Sequence, residues 1–233
     1  MSLKEKLQEY ANNTFSEKWD TRKGQKVPET DDIKLGNEAV LLDATVLYAD
    51  LDESTSLVDN HKPWFAAEIY KTFLYCSAKI IRKFGGIITS FDGDRIMAIY
   101  IGSSKNTSAA KTALKINYAV KKIINPAISA NYNSNYKVRQ VVGIDSSELY
   151  VARTGIRGSN DLVWVGKAAN YAAKLSNLSS DYPTRLTEPV YKKLNKVAKF
   201  GKLGKGKNMW QKATWKSMNN LTIYRSSWHW KFK

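Results

Sequence analysis

The apolar positions of ATVLYAD, residues 44–50, run nearly unbroken and then give way to acids, with Asp50, Asp52 and Glu53 inside four positions. A short β-branched and aromatic run bounded by charge predicts a strand. Ser54 and Thr55 behind it are of the type that caps a helix, and Pro63 suits the first turn of a second one. In that second segment Phe65, Ile69, Phe73 and Cys76 recur at helical spacing until Gly85-Gly86 ends it. GIITSFDGDRIMAIYIG reads as two short strands around Phe-Asp-Gly-Asp, and Asp-Gly between such runs is a strong hairpin signal. SAAKTALKINYAVKKIINPAI is a further amphipathic helix. YKVRQVVGIDSSELYVARTGI predicts two strands around a polar turn, and DLVWVGKAANYAAKLSNLS starts extended and turns helical near Gly166. The order βαββαβ, with additions, predicts a ferredoxin-like α+β sandwich: one mostly antiparallel sheet with helices on one face.

Around that unit, residues 1–20 read as a mixed-charge helix. Residues 21–42, with Gly24, Pro28 and several acids, read as a linker packing back on the domain. The main domain is then 43–233, ending in a basic, Trp-rich part, 181–233. Hydrophobic residues make up 43% of the 233, enough for a real core. No apolar run approaches the roughly 18 residues of a membrane helix, and MSLKEKLQEY lacks the apolar segment of a secretory signal. A cytoplasmic protein is expected, away from membranes. The single Cys76 excludes an internal disulfide and a cysteine metal cluster, and His61 and His229 alone cannot make a histidine-rich site. The formal charge of +16 suits polyanionic partners such as nucleotides, nucleic acid or acidic lipid, or simply a lysine-rich surface.

Against this basic background the acids stand out. In the predicted sheet the first strand is central and lies beside the Asp-Gly hairpin, which brings Asp50 and Asp94 to one end. Adjacent carboxylates repel and call for a cation. Oxygen ligands without His or Cys favour Mg²⁺ or Mn²⁺, ions that partner phosphate substrates. Asp in a Gly-containing turn is also ordinary turn chemistry; the two acids in this order on this topology are the more specific signal.

At these residues the chain resembles the class III adenylate and guanylate cyclases. VLYADLDESTSLV is similar to their first metal-binding segment. FGGIITSFDGDRIMAIY resembles the glycine-rich segment with the second metal aspartate, and VVGIDSSELYVARTGI their β-hairpin. GKAANYAAKLSNLS resembles the helix carrying a transition-state asparagine and a basic residue. The resemblance runs from about Leu42 to Leu178. It implies that Asp50 and Asp94, with the carbonyl of Leu51, bind two divalent ions, Mn²⁺ or Mg²⁺. It further implies that Asp52, Glu53, Ser54 and Thr55 wrap the triphosphate, that Lys205 binds phosphate, that Asn170 orients the ribose and that Lys174 stands where the family usually has arginine. Because the family assembles its metals and its asparagine helix from two subunits, a head-to-tail homodimer is implied.

The base-reading positions depart from the purine pattern. Ser90 and Val163 stand where adenine readers carry Lys with Asp or Thr and guanine readers carry Glu with a small polar residue. The stretch LGNEAVLLDATVLYADLDESTSLVD and the short architecture resemble more specifically the bacterial pyrimidine cyclases of the Pycsar antiphage systems. That implies UTP or CTP as substrate and a separate effector activated by the cyclic product. Tyr48, two residues before Asp50, shares its side of the strand and faces either the base or the core. Arg153 stands where purine cyclases often have glycine and either reaches the pocket or lies on the surface. The competing readings are an adenylate or guanylate cyclase, a ferredoxin-like nucleic-acid-binding module resting on the charge and the aromatic content, and an inactive cyclase-like regulator. The RNA-binding strand signature is absent, and the acids lie where RNA phosphates would approach, which makes nucleic acid the weaker partner.

Overall fold

The computed structural model describes residues 1–132 and 134–232. In chain order it contains α1 (Leu3–Ser16), β1 (Asp20–Lys23), β2 (Glu38–Leu51), α2 (Ser54–Asn60), α3 (Pro63–Lys83), β3 (Ile87–Asp92), β4 (Arg95–Tyr100), α4 (Lys105–Ala119) and α5 (Asn125–Tyr132). These are followed by β5 (Gln140–Ile156), β6 (Ser159–Val165), α6 (Lys167–Ser176), β7 (Thr184–Thr187), α7 (Glu188–Lys193), α8 (Lys196–Lys199), α9 (Gly201–Gly204), β8 (Gln211–Trp215) and β9 (Leu221–Ser226). The chain forms two compact units, 1–43 with 148–166, and 44–147 with 167–233.

The larger unit carries the sheet order β3-β4-β2-β5-β7-β9-β8. Its first four strands with α3 and α4 are the expected ferredoxin-like βαββαβ, and β2 is central as that topology requires. Alternation along the strands separates two faces. Leu47, Ala49, Leu51, Ile96, Ala98, Val142 and Ile144 join Ile69 and Phe73 of α3 and Leu114 of α4 in one core cluster. Gly143, pointing the other way, lies directly under α6: a Cβ there would fall 2.0 Å from the Ala172 carbonyl oxygen. Helices therefore cover both faces, not one. The missing Cβ of Gly143 is what lets α6 lie on the second face.

The smaller unit contains α1, none of whose residues is buried, and β1 running parallel to the start of β2, with Asp20 opposite Glu38 and Lys23 opposite Leu41. Part of the expected linker is thus a strand. The second half of β5 makes a hairpin with β6, from Tyr150↔Val165 to Ile156↔Ser159, turning at Gly158 with φ of 84°.

That hairpin corrects the predicted turn inside GIDSSELY. β5 runs unbroken for 17 residues. Its polar residues find side-chain partners where they stand: Ser146 Oγ donates to the Ala44 carbonyl at 3.1 Å, and Ser147 Oγ accepts from the Ala168 N–H at 3.0 Å. Satisfied polar groups do not force a strand to turn. A second correction concerns α2, whose N-cap is Glu53 in the left-handed region, φ 61°, without a side-chain cap from Ser54 or Thr55.

Candidate active site

The face of β2 and β4 away from α3 and α4 carries the polar residues. Tyr48 pairs with Met97 across β2–β4, and Met97 pairs with Ser90 across β4–β3, so Tyr48, Met97 and Ser90 form one row. A β-bulge between Ile88 and Ser90 sets this register. Bulges near active sites commonly re-aim a side chain in this way. One step along, past Ala49↔Ile96, Asp50 stands beside Arg95, which is itself paired with Asp92.

Asp50 is 8% exposed. Its Oδ2 accepts from Arg95 Nε at 3.0 Å and Nη2 at 2.7 Å. Burial pushes the Asp50 carboxyl up; Arg95 opposes the shift and the charge of Asp94 adds to it. Asp94 occupies the tight turn between β3 and β4, following Gly93 with φ of 57°. Its Oδ2 is buried without a hydrogen-bond partner among the described residues. An ionised oxygen so placed is costly unless something positive meets it. Two electrostatically coupled carboxylates, one carrying an orphaned oxygen, fit a divalent cation. Among the described residues no three His, Cys, Asp or Glu gather. A cation here would therefore need backbone or substrate oxygens besides the two carboxylates. Leu51, expected to lend its carbonyl, ends β2 and is buried.

The Asp52–Thr55 segment is anchored by Asp52 N–H to the Arg139 carbonyl at 2.9 Å. Arg139 also ion-pairs with Glu53 and lies 3.9 Å from Asp52. Ser54 begins α2 and meets Tyr70 of α3, whose hydroxyl burial pushes up, with Asp94 and Asp50 contributing. Arg185 of β7 is 5% exposed and donates to the Tyr182 carbonyl at 2.8 Å. Burial, reinforced by Arg225, lowers it to about 10, while Asp181 and Asp52 act the other way.

Asn170 and Lys174 lie four residues apart on α6 and both are exposed, so they share its outward face. Lys174 Nζ lies 3.7 Å from Met218 Sδ. Just beyond the helix, Asn177 Oδ1 accepts from Arg95 Nη2 at 2.8 Å. Arg95 thus links Asp50 to Asn177, and its guanidinium carbon lies 5.9 Å from the Tyr48 ring centre. Lys205 caps α9 and is exposed, three residues after Lys202, which walls a cavity described below. Val163 belongs to the smaller unit, on β6 opposite Ala152. Arg153, in the same unit, ion-pairs with Asp31 at 3.2 Å and donates to Asn160 Oδ1 at 2.7 Å. The sequence reading missed Arg95, Arg139, Tyr70, Asn177 and Arg185. Arg95 alone carried a signal, an arginine directly after the turn acid of a strand expected to be apolar.

No family model matches the chain. It is 54% identical over 233 residues to a uridylate cyclase from Xanthomonas perforans and 50% identical over 232 residues to one from Burkholderia cepacia, with 99% of each chain covered in both cases. A uridylate cyclase from Rhodovulum sp. is 42% identical over 90% of this chain and 89% of its own. Among solved structures, the adenylyl cyclase CyaB from P. aeruginosa shares the fold with a TM-score of 0.66, at 18% identity over 81% of this chain and 95% of its own. The dimeric guanylyl cyclase domain of RhoGC from Blastocladiella emersonii does so at 0.61, with 13% identity over 79% and 96%.

Proposed function

The chain belongs to the uridylate cyclases, within the class III nucleotide cyclases, and from that premise we propose that it converts a pyrimidine nucleoside triphosphate, UTP ahead of CTP, into the 3′,5′-cyclic nucleotide and pyrophosphate. The observation that carries this reading is the Asp50–Asp94 pair, with its orphaned oxygen, Asp50 standing two residues beyond Tyr48 on the strand that pairs toward Ser90. Asp50, Asp94 and the Leu51 carbonyl hold two divalent ions, Mn²⁺ or Mg²⁺, which when bound neutralise charge on the reacting phosphates. Arg95 fixes Asp50 through Oδ2, with both Nε and Nη2 donating to that one oxygen. The segment Asp52–Thr55 borders the triphosphate, and Arg139 offsets the two acids that would otherwise repel it.

Tyr48 faces the base. Ser90 and Val163 offer neither the Lys–Asp nor the Glu-based purine pattern, so a purine would lose hydrogen bonds to water without replacing them. Asn170 positions the ribose and Lys174 steadies phosphate as a point charge, without the fork of an arginine. Both project from the exposed face of α6, which suits service to a second copy's site in a head-to-tail homodimer. The ribose 3′-hydroxyl, held in line with the α-phosphate, attacks it and expels pyrophosphate, so positioning supplies much of the acceleration. The cyclic product acts in the cytoplasm on a separate effector in antiphage defence; among the described residues no helix is long and apolar enough to cross a membrane.

The test is incubation with UTP, CTP, ATP and GTP together at equal concentration with Mn²⁺, followed by nucleotide chromatography. Cyclic UMP should dominate, and Asp50→Ala or Asp94→Ala should abolish every cyclic product while leaving the circular dichroism spectrum unchanged. Dominant cyclic CMP overturns the choice of UTP. Dominant cyclic AMP or cyclic GMP overturns the pyrimidine reading.

A further inference from the structure

A cavity of about 650 Å³ lies in the larger unit between the end of α3, the outer side of α4, the α8–α9 segment and the C-terminal tail. Its walls include the rings of Phe84, Phe200, Trp230 and Phe232, and its cations include Lys83, Lys111, Lys202 and Lys231. Among the described residues no carboxylate lines it. Lys115 crosses between two of the rings, 5.4 Å from the centre of Phe84 and 4.8 Å from that of Phe232. Burial lowers the pKa of His229 in the same wall, and the charges of Lys121 and Lys122 push it the same way.

The tail wall is built, not draped. Lys115 Nζ donates to the Lys231 carbonyl at 3.0 Å, the Trp230 N–H to the Leu114 carbonyl at 3.0 Å, and Asn117 Nδ2 to the Trp228 carbonyl at 2.7 Å. The cavity is also remote from the carboxylate pair. Tyr70, which feels Asp94 and Asp50, stands thirteen residues before Lys83 on α3, about 20 Å of helix rise.

We propose that this cavity is a second nucleotide site, taking a free mononucleotide whose base stacks on the aromatic wall and whose phosphate meets the lysines. Apolar walls with a few convergent charges, in a volume of roughly 300–1,000 Å³, are what small-molecule sites share. Stacking tolerates any base, because every base has a π-face, and the lysines supply the affinity for phosphate. A cavity of this volume is of the size that takes a single small molecule.

The experiment is calorimetric titration of the full chain with AMP in EDTA, which keeps triphosphate chemistry out of the measurement. Adenosine and ribose 5-phosphate serve as the ring-only and phosphate-only probes, and a ten-nucleotide single strand as the polymer. AMP should bind saturably. Each half-probe should bind about tenfold or more weakly, the scale of one lost stacking or charge contact. The double variant Lys111→Glu/Lys202→Glu should abolish AMP binding and the milder Lys111→Gln/Lys202→Gln should weaken it, both with unchanged melting temperature and UTP turnover. Absence of saturable AMP binding, or AMP binding unaffected by either double variant, overturns the proposal. So does a single strand that binds more tightly than AMP.

Discussion

Asp145, at 1% exposure in β5, shows what burial does to an acid that has no ion pair among the described residues. Thr187 donates to its Oδ1, and its Oδ2 has no partner among the described residues. Burial raises its pKa, against the pull of Thr187, the Ser146 N–H and Lys167. The unfolded chain loses this proton near the ordinary value of about 3.9, while the folded chain keeps it to higher pH. Across that window the folded state binds more protons, so stability falls as pH rises. Asp145→Asn removes the dependence. Its urea midpoint relative to the parent should climb as pH rises above about 4, and a difference that stays flat with pH would refute the assignment. At this scale the sequence revealed acids better than bases. Asp50 and Asp94 were legible because acids after an apolar strand and in a tight turn break a pattern. Arg139 and Arg185 were not, since one arginine among 37 basic residues breaks none.

At the scale of elements, α6 depends on one missing methyl group. A Cβ on Gly143 would stand 2.0 Å from the Ala172 oxygen and 2.7 Å from the Ser176 nitrogen, both backbone atoms that cannot rotate away. Gly143→Ala should therefore push α6 off the sheet at a cost of roughly 1–3 kcal/mol. It should lower kcat as well, because Asn170 rides on that helix. An unchanged urea midpoint would show that the helix slides freely. The βαββαβ order was readable because each element carries its own period and its own stop signal, such as Gly85-Gly86. The unbroken β5 was not, because Ser146 and Ser147 resemble turn residues until the partners that satisfy them are known. Nor was the bulge before Ser90, which leaves no local mark in ITSFD.

For the whole molecule, the exposed Asn170 and Lys174 require a second copy if the proposed chemistry is right. Mixing Asp50→Ala with Asn170→Ala protein in equal amounts should restore about a quarter of the parental activity, since half the dimers are mixed and each regains one of its two sites. Activity that stays at zero after verified subunit exchange would place all the groups in one copy. The strand order has a consequence in time. β2 and β4 are complete once residue 100 has been synthesised, but β7 gains its outer neighbour only when β9 ends at residue 226. At about 5–20 residues per second, those 126 residues take about 6–25 seconds. A newborn chain therefore holds Asp50 on a paired strand and Asp94 in the β3–β4 turn well before Arg185 has a neighbour on its far side. The acidic half of the site is the older half in the life of every molecule.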